Sequence, residues 1–403
     1  MRLLRPLAQP AFALLWAGLA LSALGDQVYL VALAWLAAAA FGPQAGLLTA
    51  LTAGSALLTA LFAGHWTDHR EQPRVMVLAD LARAVALALA VASWAALGPA
   101  PVALALAVAL LGIGQGLFRP ALQAVLPALV TRSERLPAAN ALLDSTERMA
   151  RLAGPALVGL LAGRVPPLHF LTLDAGSFLA SAAAILVAVR LTRLHGIRRA
   201  GAREGVLENL GRGFRILRGH PVLFAATLTG AVLNGAWLAV FYLALPLRLD
   251  AGALASYGTV MAAYGCGNLA MMLVVGSRAM PRRTGRVVFA SDLAFGIGIV
   301  LVGLGASLHG PALVPTLAVA AAFTAAAAPL ADIPLAVLRQ SELPRADQPA
   351  VMRAIMAVSQ TGALAGMLLA PAALRFMPGS IFIVLAGGAV MLVSALGLAR
   401  FWR

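Results

Sequence analysis

The chain has 403 residues, 61% of them hydrophobic and only 11% charged, against about 25% charged in a typical soluble domain, so a water-soluble globule is excluded. The formal charge of +15 is carried entirely by arginine, with no lysine anywhere. These arginines fall mostly between apolar runs, a placement that suits anionic lipid headgroups and the positive-inside rule and sets nucleic acid aside as a partner.

A helix that crosses a bilayer needs about 20 apolar residues. Such runs are expected near residues 10–40, 44–64, 75–97, 101–130, 138–163 and 168–190, then near 220–248, 254–276, 287–307, 311–338, 349–375 and 379–400. The opening MRLLRPLAQPAFALLWAGLA has no Ala-x-Ala-type cleavage site after a short apolar core, so it reads as a permanent first span. FGPQ, LGPAP and RVPP punctuate the series, as Gly/Pro clusters do at helix ends. One set of alternate connections holds Arg70 and Arg74, Arg132 and Arg135, the segment 191–219, Arg278 to Arg286, and Arg339 with Arg345; the other holds Arg164, Arg248, Arg375 and little else. Both termini and the central segment are therefore expected in the cytoplasm. That segment, RLTRLHGIRRAGAREGVLENLGRGFRILRGH, reads as a basic linker whose amphipathic part lies on the inner leaflet.

The expected fold class is an all-α membrane protein: twelve transmembrane helices in two six-helix pseudo-repeat halves, 1–190 and 220–403, joined by a cytoplasmic linker at 191–219. A shift of 212 residues sets Gly64 on Gly276, Arg74 on Arg286 and Asp80 on Asp292; a shift of 208 sets Gly154 on Gly362. Paired halves of this kind are a transporter pattern, with substrate bound near the midplane.

Ionisable residues inside spans are costly and mark candidate sites. Asp26 lies about 24 Å along the first span at 1.5 Å per residue, a candidate proton carrier or substrate contact. Asn234 sits at a roughly corresponding place in the seventh span, where Trp237 with Phe241 and Tyr242 could line an aromatic pocket. Arg119 precedes Pro120 in the fourth span; it is a candidate to pair with Asp26 or to attract an anionic substrate. In the fifth span, Asp144 with Arg148 and Glu147 with Arg151 are i,i+4 pairs in the favoured orientation, either local neutralisation or a cytoplasmic gate reaching Arg353. Asp332, in the tenth span, is a second protonatable candidate. Asp80 and Arg83, three apart, are expected to satisfy each other near the inner surface. No Gly-x-x-x-x-Gly-Lys-Ser/Thr loop is possible without lysine, no metal-ligand spacing of His and Cys is present, and no catalytic constellation assembles. The expectation is a non-enzymatic protein with no cofactor and no metal, working among membrane lipids as a monomer.

The loop AGHWTDHREQPRV after the second span carries Gly64, Asp68 and Arg74, and in that position it resembles the Gly-x-x-x-Asp-Arg-x-Gly-Arg-Arg loop of the major facilitator superfamily. His69, Glu71, Gln72 and Pro73 depart from the pattern. The resemblance implies a latch that holds the two halves in one conformation, with Gly64 allowing close helix approach and Asp68 capping a positive helix end. Residues 118–163, FRPALQAVLPALVTRSERLPAANALLDSTERMARLAGPALVGLLAG, resemble the branch that includes the enterobactin exporter and macrolide efflux proteins. SALGDQVYLVALAWL at 22–36 and MAAYGCGNLAMMLVVG at 261–276 agree. That likeness implies export of a bulky organic molecule without naming it; with Asp26 as a proton carrier, the expectation is a proton-driven exporter of a siderophore or drug in a bacterial inner membrane. An importer or lysophospholipid flippase on the same fold, or a non-transporting receptor or scaffold, stays open.

Overall fold

A computed structural model describes residues 4–62, 70–130, 135–162, 164–192, 206–249, 254–276, 281, 283–344 and 347–402. Among these the regular elements are helices. We number the long ones α1 (Pro10–Phe41), α2 (Ala45–Phe62), α3 (Gln72–Leu97), α4 (Pro101–Leu129), α5 (Leu136–Leu161), α6 (Pro167–Thr192) and α7 (Val206–Arg218). There follow α8 (Pro221–Arg248), α9 (Leu254–Gly276), α10 (Thr284–Gly305), α11 (Leu313–Glu342), α12 (Gln348–Phe376) and α13 (Gly379–Phe401). Ten stretches among the described residues are long and apolar enough to cross a membrane. The first of these, Pro10–Thr59, contains both α1 and most of α2. Helix α5 falls outside them because Asp144, Glu147, Arg148 and Arg151 stand in its middle. With α1 and α2 counted apart and α5 included, the membrane helices among the described residues number twelve.

The chain forms two compact units, Met1–Leu36 with Leu51–Arg203 and Ala37–Ala50 with Glu204–Arg403. In the first, α3 packs against α4 and α6, and Met76, Ala79, Phe118, Val125 and Ile185 share one buried cluster. Small residues set the other crossings: Gly112 of α4 rests on Thr52 and Ser55 of α2, and Gly154 of α5 rests on Gln27 of α1. In the second unit α10 packs against α11 and α13, and α8 against α12. Gly267 of α9 sits on Ala322 of α11, and Gly362 of α12 on Ala231 of α8. A side chain at any of these glycines would strike its neighbour, so close approach fixes which helices pair. The second helix of each six meets the fourth, the first meets the fifth, and the third meets the fourth and sixth. Gly154 and Gly362 thus occupy equivalent crossings, and Asp80 and Asp292 are both buried on third helices, 0% and 7% exposed.

Two local features follow from single residues. Helix α8 contains a π-helical turn over Val240–Ala244, where the Leu245 N–H reaches back to the Val240 carbonyl. The next donor in that register would be residue 246, a proline without one. The Phe241 carbonyl accepts instead from the Tyr257 hydroxyl at 2.9 Å, and Tyr257 is fully buried. At the end of α10, Arg248 donates to the carbonyls of Ala306 (2.5 Å) and Leu308 (2.6 Å), satisfying acceptors that a helix C-terminus leaves open. Cys266, on α9 beside Gly267, is free and exposed.

Helix α7 corrects the expectation of an amphipathic segment lying on the leaflet. Its apolar face is taken up by protein: Leu210, Phe214 and Leu217 join Leu223, Leu343, Val351 and Ala354 in one cluster. Gly213 lies against the backbone of Ala350, and Arg212 donates to Asp347 at 2.6 Å. Glycine at 213 lets the two helices touch, and the ion pair sets the register beside it. Residues 193–205 of the linker lie outside the described residues.

Candidate functional site

The first unit holds an open cavity of about 260 Å³ lined by residues of α1 to α5. The helical repeat explains its lining. On α1, Ser22, Asp26, Tyr29 and Leu30 recur at helical spacing; on α4, Leu111, Gln115, Phe118, Arg119 and Leu122; on α5, Leu143, Thr146, Glu147 and Arg151. Each set is one face of its helix. The Trp16 ring N–H donates to Thr146 Oγ1 at 2.9 Å, tying α1 to α5 beside the cavity.

Arg119 does not find its carboxylate in Asp26. Its guanidinium donates to Glu147 Oε2 at 2.9 Å, across from α4 to α5, with side chains 54% and 37% exposed. The geometry explains the difference: Glu147 and Arg119 face each other over the cavity, while Asp26 lies on another wall. Asp144 and Arg148 are exposed on α5, and Arg151 joins the lining.

Asp80 and Arg83 do pair, and both side chains lie inside the bundle. Their side chains are 0% and 6% exposed, and Arg83 reaches the cavity wall. Its guanidinium lies 4.1 Å from the Phe178 ring and 5.0 Å from that of Phe118, a cation–π arrangement suited to a desolvated charge. Sequence reading missed Arg83 as a site residue; the available signal was a charge pair inside an apolar run. Asp174, on α6, is wholly buried and accepts a hydrogen bond from Ser177 at 3.0 Å.

In the second unit Asn234 spends its amide on Ser359, donating to the carbonyl at 3.0 Å and facing the hydroxyl at 3.1 Å, so it joins α8 to α12. Trp237 meets Tyr242 edge-on at 5.2 Å and Tyr264 at 6.5 Å, and Tyr264 meets Phe241 at 4.8 Å; this aromatic cluster surrounds the π-helical turn. Asp332 is exposed on α11, and Arg353 is half-buried on α12. Of the loop residues, Arg74 pairs locally with Glu71 at 2.7 Å and is 76% exposed. Gly64 and Asp68 lie outside the described residues. Among the described residues no three His, Cys, Asp or Glu are placed to hold a metal.

The sequence model of the Major Facilitator Superfamily matches residues 15–291. The chain belongs to that superfamily. A facilitator relative, the MFS-type transporter YvqJ of Bacillus subtilis (strain 168), is 25% identical over 296 residues, 71% of this chain and 67% of that one. Among solved structures, a bacterial homologue of the iron transporter ferroportin in an inward-facing state superposes with a TM-score of 0.74 at 15% identity, over 97% of this chain and 98% of that one. The POT family transporter PepTSo gives 0.71 at 12%, with coverage of 97% and 98%. A bacterial metal transporter gives 0.65 at 15%, over 98% of both chains. At such identities the likeness is one of fold. This facilitator protein is a multi-pass membrane transporter, and its family carries small molecules.

Proposed function

We propose that the protein is a secondary active exporter, a proton antiporter that moves a small organic molecule across the inner membrane by alternating access. The observation that carries this reading is Asp26, an ionisable group deep in α1 on the wall of a cavity, where a charge is costly and is kept for a task. Arg83, Arg119 and Glu147 share that wall. Loss of a proton from Asp26 changes the charge the cavity presents, favouring cationic or hydrogen-bond-donating cargo; regaining it releases that preference. The Arg119–Glu147 pair, half-exposed and spanning two helices, is suited to open and close. The run 118–163, with its likeness to siderophore and macrolide exporters, supports outward movement of a siderophore or drug. Cytoplasmic termini and a monomeric carrier complete the reading.

The test uses everted membrane vesicles energised to an acidic interior, with a catecholate siderophore, a carboxylate siderophore and a macrolide as probes. Uptake of one probe with proton release, both lost in Asp26→Asn, is the expected result. Uptake retained in Asp26→Asn removes Asp26 as the coupling residue and moves attention to Asp332. Absence of flux for all three removes the exporter reading.

A further inference from the structure

Asp174 plays no part in the reading above, yet it is the most awkwardly placed acid in the first unit. It is 0% exposed on α6. Its Oδ1 faces the hydroxyl of Ser177 at 3.0 Å, a hydroxyl also 2.8 Å from the Asp174 carbonyl, so one hydrogen is divided between two acceptors. Its Oδ2 is buried without any hydrogen-bond partner. The carboxyl is pressed against α1: a Cβ on Gly25, the neighbour of Asp26, would stand 2.5 Å from Asp174 Oδ1.

The charges around it do not balance. From α1 come Asp26 and Tyr29 and from α3 Asp80 and Arg83, while Arg119 of α4 and Glu147 and Arg151 of α5 line the cavity on whose wall Asp26 lies. Arg119 is engaged by Glu147. The one buried guanidinium among the described residues, Arg83, is bonded to Asp80. Asp174 therefore has no cation of its own. An ionised carboxylate without solvent, counter-ion or full hydrogen bonding is among the most expensive groups to bury. Something positive must accompany it. A hard cation needs a shell of several oxygens, and among the described residues no three His, Cys, Asp or Glu are placed to hold one. A proton needs only Oδ2.

We propose that Asp174 is a second proton-binding site of the first unit, holding its proton on Oδ2 in this conformation. The functional consequence rests on the exporter reading: where α6 separates from Gly25 during the cycle, water reaches Asp174 and the unit exchanges two protons instead of one.

The test begins without substrate. Infrared spectra of the purified full chain in lipid vesicles, at neutral pH, report the C=O stretch of protonated carboxylic acids. Asp174→Asn should lose the intensity of one acid group, while Asp26→Asn keeps that component. Ser177→Ala, which retains the acid but removes its donor, should shift the band without abolishing it and serves if Asp174→Asn fails to fold. No loss in Asp174→Asn, with no shift in Ser177→Ala, overturns the proposal; so does a carboxylate band that responds to Na⁺ instead of pH. In the vesicle assay, protons released per molecule of transported probe should halve in Asp174→Asn. An unchanged ratio overturns the two-proton consequence and leaves a proton held throughout the cycle. Failure of every probe to move sinks the exporter reading alone, since the spectra still decide the proton.

Discussion

Arg83 shows how a buried charge is held in this protein, by one carboxylate and two aromatic faces. Removing one partner of a buried pair leaves the other uncompensated and costs about 3–5 kcal/mol, whereas replacing both with neutral groups costs far less. Arg83→Met should therefore lower stability by that amount, and Asp80→Asn/Arg83→Met should recover most of it, as read by unfolding of the purified protein in detergent. Arg119 and Glu147 are the opposite case. They are half-exposed, so loss of the pair should cost below about 1 kcal/mol. Its effect belongs in transport: Arg119→Glu should reduce vesicle flux by tenfold or more, and the swap Arg119→Glu/Glu147→Arg should restore a measurable part. A swap with no recovery would mean that the individual charges, not their pairing, matter. At this scale the sequence was legible for identity and poor for partnership. Asp26 and Arg119 stand out because charge is rare in apolar runs. That Arg119 bonds Glu147, and that Arg83 reaches the cavity, depends on how α3, α4 and α5 are rotated, which spacing within one helix does not contain.

Helix ends were the most legible elements. The expected 101–130, 254–276 and 379–400 correspond to Pro101–Leu129, Leu254–Gly276 and Gly379–Phe401, because Pro and Gly punctuate them and the hydrophobic length is fixed by the bilayer. The π-helical turn in α8 was not, since it arises from Pro246 acting with a hydroxyl on a different helix. Its energetics can be measured. Tyr257→Phe leaves the Phe241 carbonyl buried and unpaired, at a cost of about 1–3 kcal/mol. Pro246→Ala supplies a backbone N–H for that register, so Tyr257→Phe/Pro246→Ala should be more stable than Tyr257→Phe; thermal unfolding in detergent decides it. Helix α7 was read correctly as amphipathic but assigned the wrong partner, because an apolar face announces burial and not against what. Gly213→Leu should prevent its seating on Ala350, and limited proteolysis should then cut after Arg212, Arg215 and Arg218 several-fold faster than in the wild type.

For the whole molecule, the alternation of arginine along the loops makes a prediction independent of any substrate. Reporter fusions at both termini and within 193–205 should be active only where the reporter needs the cytoplasm; a fusion after Arg375 but before α13 should behave oppositely. A cytoplasmic signal after Arg375 would break the twelve-span arrangement. The two six-helix sets were visible in the sequence as a handful of polar and glycine coincidences, and the structure gives the physical reason for one of them: Gly154 and Gly362 are each the contact at which a fifth helix meets a first. What the sequence could not supply is the cargo, because a cavity's selectivity lies in shape as much as in residue type.

Cys266 has a practical consequence. A chain with one thiol, and with no lysine, has a single labelling position, the free sulfur on the membrane helix α9, so a membrane-permeant thiol reagent carrying a dye or nitroxide, applied to the detergent-solubilised protein, marks one site without a cysteine-free background having to be built. Because Gly267 next to it is wedged against α11, the probe rides on a fixed pair of helices, and any change in its emission or line shape on addition of a cargo molecule would report a rearrangement of the native, unmutated transporter.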